Sequence, residues 1–178
     1  MQLSVDSIIS AAVDILNSYG LADMSMRRVA SHLNVAPGAL YWHVANKQEL
    51  IGAIAEHVLA PVLAGPVTDA RATAAALRSA LLSHRDGAEL VGAALSVPAS
   101  TLAARLVDVF AHSLTATGLS AQDRHAGAQA LVHQVLGATG VEQSQLQFAE
   151  VTDAPAPGTL DAGYGVDLLL EGLAGRAT

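Results

Sequence analysis

"SMRRVASHLNVAPGALYWHVANKQEL", residues 25 to 50, decides the reading of this chain. Ser25 precedes Met26-Arg27-Arg28 and suits the N-cap of a short helix whose core face is Val29, Ala30 and Leu33. Asn34-Val35 reads as a tight turn. Pro37 then fits the first turn of a third helix, where a missing N–H costs nothing. Asn46 caps a fourth helix, KQELIGAIAEHVLA, with Leu50, Ile51, Ile54, Ala55 and Val58 facing inward. Upstream, Val5, Ile8, Ile9, Ala12, Val13 and Leu16 recur at helical spacing up to a Gly20 stop. Short helices joined by a tight turn form the pattern of a helix-turn-helix.

The chain is poor in aromatics, at 3 % of 178 residues, yet Tyr41, Trp42 and His43 stand in a row, with the sole tryptophan among them. At the end of a recognition helix such rings can pack inward and donate to phosphates outward. Trp42 as a plain core residue is the competing reading. Arg27 and Arg28 fall in the first turn of the second helix and Lys47 at the start of the fourth, where free N–H groups favour an anion.

Downstream, Pro61, Gly65 and Pro66 end the fourth helix and suggest a boundary. Helical segments are expected over 68–84, over "SVPASTLAARLVDVFAHSL", from Ser120 to about Phe148, and at "VDLLLEGLAG"; a Pro/Gly-rich loop covers 152–163. No stretch alternates as a strand. The expected class is all-α, with a helix-turn-helix domain at 1–46 and a larger helical domain at 47–178.

Composition sets limits. Hydrophobic residues are 52 %, charged residues 14 %, and cysteine is absent, so disulfides and thiolate metal sites are excluded. No apolar run reaches the ~18 residues of a membrane span, and the N-terminus lacks a basic signal-peptide start. A cytoplasmic protein with no membrane partner is expected. The net charge of -7 opposes non-specific nucleic-acid binding, so contact with DNA must rest on local charge. His125 and His133, eight residues apart on one helix, are separated by ~12 Å and cannot share one ion. No metal or cofactor is expected. No nucleophile elbow, phosphate loop or triad is present, so the chain reads as a non-enzyme.

Residues 25–58 resemble the DNA-binding domain of the TetR family of transcriptional repressors, and "LYWHV-NK" looks like the tetracycline repressors among them. "ALLSHRDGAEL" (80–90), "VHQVLGATGVEQ" (132–143) and "YGVDLLLEGLAG" resemble the regulatory domain of the same group. The resemblance implies a dimer on a palindromic operator, with the third helix in the major groove. It places Arg27 where an arginine reads guanine, and Tyr41, Trp42, His43 and Lys47 at phosphate-contact or helix-anchoring places. Ser25, Arg28, Pro37, Gly38 and Ala39 are expected at the DNA with them. Pro37-Gly38-Ala39 stand where the subgroup has Gln-Pro-Thr, so a different operator is expected.

The resemblance also implies an effector site within residues 60–142. The subgroup's magnesium-holding histidine after "RDGA" is missing: Glu89, Leu90, Val91 and Gly92 follow instead. Leu63, Thr73 and Leu77 replace a histidine, an asparagine and a phenylalanine. Glu142 keeps the glutamate, shifted by one residue. The expectation is a dry aliphatic pocket of Leu63, Leu77, Val91, Val97 and Leu102, with His133 as polar anchor and Thr73 and Glu142 also counted as ligand-binding, for an apolar effector other than magnesium–tetracycline. Residues 121–148 and 163–174 are expected to pair two copies through Val166, Leu168, Leu169, Leu170 and Leu173, with Gly127, Ala128, Gly137, Ala138 and Gly140 allowing close approach. The alternative is a small-molecule carrier of the same fold whose operator binding is weak or lost.

Overall fold

The computed structural model describes residues 3–66, 69–98, 100–152 and 162–177. Among them are nine α-helices and no strand: α1 (Val5–Tyr19), α2 (Met26–His32), α3 (Pro37–Leu40), α4 (Lys47–Leu63), α5 (Ala70–Leu82), α6 (Gly87–Leu95), α7 (Thr101–Ser113), α8 (Ala121–Thr152) and α9 (Ala162–Ala174). A 3-10 turn lies at Thr115–Thr117. The all-α expectation is met. None of these helices is long and apolar enough to cross a membrane.

The first helix starts at a reciprocal cap: the Ser7 N–H donates to Ser4 Oγ, and the Ser4 N–H donates to Ser7 Oγ. Its buried face is Ile8, Ala11, Ala12, Ile15 and Leu16, a helical stripe one step off the expected one. Val5, expected inside, is exposed in the first turn. Pro61 does not end α4; the helix runs on to Leu63, because proline removes only its own N–H and the Ala64 amide still reaches Ala60 O at 2.9 Å. Thr152 closes α8 and Ala162 opens α9, so both ends of the expected 152–163 loop are helical; residues 153–161 lie outside the described residues. The short α6 was not among the expected elements.

Helix α4 packs on α1 in the N-terminal head and on α5, α6 and α7 in the body. This explains why Leu50, Ile54, Ala55, Val58, Leu59 and Val62 are buried around more than one side of it. In the body, α8 packs against α5, α6, α7 and α9, burying Gly127, Ala128, Leu131, Val132 and Val135. Phe110, Leu106, Leu77, Leu81, Leu90 and Val91 complete the core there.

Head and body are joined at the turn between α5 and α6. Asp86 has φ 54°, in the left-handed region that Asp tolerates better than most residues. Its carboxylate does not cap α6. Instead Oδ2 accepts the Leu21 N–H at 2.8 Å, from the chain just beyond α1, and Oδ1 accepts from Gln147 of α8. Gln143 takes over the capping: its Oε1 accepts the Ala88 N–H at 2.9 Å, while its amide donates to Leu81 O at 3.1 Å and His84 O at 2.9 Å. Gly20 lies under this contact at φ 84°, and a Cβ there would stand 2.6 Å from Asp86 Oδ2.

Two stability changes follow. Gly20→Ala, strained in backbone and colliding with Asp86, should cost about 1–3 kcal/mol in urea unfolding; an unchanged midpoint would mean the junction is not as tight as drawn. Phe110→Ala, at a site fully closed to solvent, should cost about 3–5 kcal/mol in the same experiment.

Candidate nucleic-acid interface and effector region

The helix-turn-helix is held from inside by few side chains. Ser25 caps α2, its Oγ accepting the Arg28 N–H at 3.2 Å. Met26, Val29 and Ala30 are buried. The turn is made by Asn34 at φ 54°, after which the Val35 N–H returns to Ala30 O at 2.9 Å. Leu40 and Val44, one helical turn apart, are the buried anchors of the next segment, tied by the Val44 N–H to Leu40 O at 2.9 Å. Asn46 caps α4, its Oδ1 accepting the Glu49 N–H at 2.9 Å, and Glu49 reaches back to the Ala45 N–H at 2.7 Å.

Between those anchors, Tyr41, Trp42 and His43 form the turn that follows α3. Trp42 is 90 % exposed and Tyr41 54 %, and His43 is exposed as well. The rings therefore do not pack inward, and the core reading of Trp42 is overturned. The chain reverses here with Leu40 and Val44 pointing in, which leaves the three residues between them pointing out. Pro37 and Gly38 are exposed beside them, Ala39 is half-buried, and a Cβ on Gly38 would meet nothing within 4 Å.

The two adjacent arginines have different fates. Arg27 is exposed and has no ion pair among the described residues. Arg28 is tied down: its Nη1 donates to Asp23, and its guanidinium lies 4.1 Å from the centre of the Tyr19 ring. It fastens α2 to the end of α1. Lys47 is exposed at the start of α4. Among the described residues of the head, the lysine and arginine side chains without an ion pair are thus Arg27 and Lys47.

The residues expected at the effector site divide in three. Leu77, Val91 and Leu102 are buried in one hydrophobic cluster, with Leu63 half-buried against it. Thr73 is buried, its hydroxyl donating to Asp69 O at 2.9 Å. Val97 is 46 % exposed and His133 is exposed, so neither faces that cluster in the protomer. Glu142 is only 9 % exposed, and its carboxylate is gripped by both Nε (3.0 Å) and Nη2 of Arg78, a two-pronged pair that leaves it no free edge. The helix period puts these residues on inward faces without saying which are already spoken for.

A groove of about 750 Å³ runs elsewhere, between α6 and α8, lined by Ala88, Glu89, Leu136, Gly140, Val141 and Phe148 among others. Sequence reasoning missed it. Val141 and Phe148, seven apart and both largely exposed, were the available signal. No group of three or more metal-ligating side chains comes together among the described residues.

Residues 8–54 match the family described as "Bacterial regulatory proteins, tetR family", and residues 67–162 match "Tetracyclin repressor-like, C-terminal domain". The class E tetracycline repressor protein of Escherichia coli is 34 % identical over 167 residues, covering 88 % of this chain and 77 % of that one. The crystal structure of Mycobacterium smegmatis BioQ is similar at 42 % identity and a TM-score of 0.86, covering 98 % of this chain and 99 % of that one. BioQ crystallised with its double-stranded DNA operator is similar at 40 % identity and a TM-score of 0.84, covering 97 % and 99 %. A helix-turn-helix head with Arg27 and the aromatic turn displayed, carried by a helical body of this kind, belongs to the TetR family of DNA-binding transcriptional regulators.

Proposed function

We propose that this regulator is a cytoplasmic repressor that binds a palindromic operator as a homodimer and is released by a small, largely apolar effector. The observation that carries the reading is the joint exposure, in one helix-turn-helix, of an unpaired Arg27 and of an aromatic turn held between the buried Leu40 and Val44. Residues 1–46 serve as the reading head and 47–178 as the sensing and pairing body, with α4 reaching both. Arg27 reads a base, guanine by its fork geometry. Tyr41, Trp42, His43 and Lys47 hold phosphates, with Ser25, Pro37, Gly38 and Ala39 close to the duplex. Arg28 supports them from the side.

Dimerisation uses the outer faces of α8 and α9. Gly127 is taken up within the protomer, since a Cβ there would meet Leu173 at 2.8 Å, whereas a Cβ on Gly137 would meet nothing within 4 Å. Val141, Phe148 and Leu168 are apolar and exposed on these helices. An interface of that character suits a permanent pair, which spaces two heads along the duplex.

The effector displaces aliphatic contacts around Leu63, Thr73, Leu77, Val91 and Leu102. Magnesium–tetracycline is disfavoured because the histidine after Asp86-Gly87 is missing and Glu142 is held by Arg78. The second reading, a carrier with weak operator binding, is favoured by Arg28 being tied to Asp23, which narrows the positive footprint.

Selection from a random DNA pool tests the first reading. Wild type should recover one palindrome. Arg27→Ala should lose discrimination at one base pair per half-site by about 1–3 kcal/mol. Arg28→Ala should keep the base preference, since that side chain faces Asp23 and Tyr19. Recovery of no sequence at low salt would favour the carrier. In a separate titration, magnesium–tetracycline should leave the operator complex intact; release at micromolar drug would overturn the effector argument.

A further inference from the structure

The turn that ties head to body also carries an unusual histidine. His84 is half-buried, its Nδ1 is shut off from solvent, and that atom has no hydrogen-bond partner. Its ring stands 6.4 Å, centroid to centroid and nearly edge-on, from His57 of α4. The backbone at His84 is fixed, its carbonyl accepting from the Gln143 amide at 2.9 Å and the Gly87 N–H at 3.1 Å. The two residues that follow hold the head: the Arg85 N–H donates to Asn17 Oδ1 at 3.2 Å, and Asp86 accepts from Leu21. Here α1, α4 and α8 converge on one imidazole whose backbone is held in place.

An uncharged ring suits this place and a charged one does not. Burial, and then the neighbouring His57, hold the His84 pKa below its ordinary value. The other charges around it offer little compensation. On α4, Glu56 is paired with Arg105 of α7. On α8, Glu142 is paired with Arg78 of α5, and Glu150 lines the small crevice beside His84. From α1 that crevice receives the uncharged Asn17; Asp14, one turn earlier, faces His32 at 3.7 Å. On the turn itself, Arg85 adds like charge, while both oxygens of Asp86 are occupied. Glu89 of α6 lines the separate α6–α8 groove.

We propose that His84 is a proton-operated release: its protonation, opposed by His57 and by the closed site, parts α4 from the 83–86 turn, loosens the head, and lowers operator affinity on acidification. This rests on the operator-binding reading above. The sign follows from the neutral ring being the one the junction accepts. The contact is intact above the ordinary histidine value of about 6.5 and is lost as pH falls through the lowered value in the folded protein. Each protomer that must take up one proton to open contributes up to about a tenfold change in affinity per pH unit over that window.

The test measures operator affinity at constant ionic strength from about pH 8 to about pH 5.5, for wild type, His84→Gln and His57→Gln. Wild type and His84→Gln should bind alike at the upper end, with wild type about tenfold or more weaker at the lower end. His57→Gln should keep the loss but move it to higher pH, because one opposing charge is gone. Every other residue is common to wild type and His84→Gln, so their ratio isolates the junction. A constant ratio of wild type to His84→Gln across the range would overturn the proposal. A readout without DNA separates this from failure of the operator reading: hydrogen-exchange protection of the Leu21 amide should fall on acidification in wild type and hold in His84→Gln. Equal protection in both would overturn the proposal whether or not an operator is found. Should His84→Gln lose helicity, the imidazole titration of His84 in wild type and His57→Gln decides. An ordinary value that His57→Gln leaves unmoved overturns the switch; a low value that rises in His57→Gln supports it.

Discussion

The contact between the Asp86 carboxylate and the Leu21 amide sets the relation of head to body, and much of the molecule is arranged around it. An aspartate at the start of a helix ordinarily caps that helix. Here it is turned away, held in a left-handed conformation, and given to a different part of the chain. The vacated cap is filled from α8 by Gln143, and Gln147 takes the second oxygen. Gly20 is required because the carboxylate lies against its Cα. One carboxylate is thereby served by two elements far apart in sequence. Movement of α8 or of the 83–86 turn is therefore felt at the end of α1. That is the kind of coupling a ligand-responsive regulator needs, since an effector shifts an equilibrium only by contacts that differ between two states.

The exposed side of the head shows how neighbouring residues come to different environments. Leu40 and Val44 are buried, and the residues between them are pushed into solvent with their apolar rings bare. Leaving a tryptophan almost wholly exposed forgoes roughly 2–3 kcal/mol of burial on the scale for large apolar side chains. Such exposure is most readily understood where another surface covers the ring. Arg27 and Arg28 divide likewise: one is free, the other spent within the protomer on an acidic partner and an aromatic face. A chain with net charge -7 can meet DNA only by concentrating what positive charge it leaves free.

In the body, the residues proposed above to meet an effector are also the ones that fill the core. Leu77, Val91 and Leu102 fill the core in this conformation. A ligand entering among them has to replace contacts already made, which favours an apolar shape over a polar one. The Arg78–Glu142 pair sits at the edge of that core with its hydrogen bonds satisfied, so breaking it would strand a nearly buried carboxylate. The helix α8 shows two faces, one of Gly127, Ala128, Leu131 and Val135 turned to its own protomer, the other with Val141 and Phe148 turned out.

The sequence by itself determined all the helices but α6, the caps at Ser25 and Asn46, the helix-turn-helix and the family, because these depend on residues within a turn or two of each other and on a 3.6-residue period. The places of Arg27 and Lys47 in the first turns of their helices were legible for the same reason, since local caps and breaks describe them. Tertiary structure alone decided which polar side chains were already engaged. Arg28, Glu142 and Asp86 look alike on the page as free charges near interesting motifs; their partners lie 5, 64 and 65 residues away. It also decided that Trp42 stands outside, Val97 and His133 off the aliphatic cluster, and His84 against His57. Periodicity fixes which side of a helix a residue occupies. What waits on that side, and whether it neutralises, buries or ignores the residue, is set only when distant helices are brought together by the burial of their apolar faces.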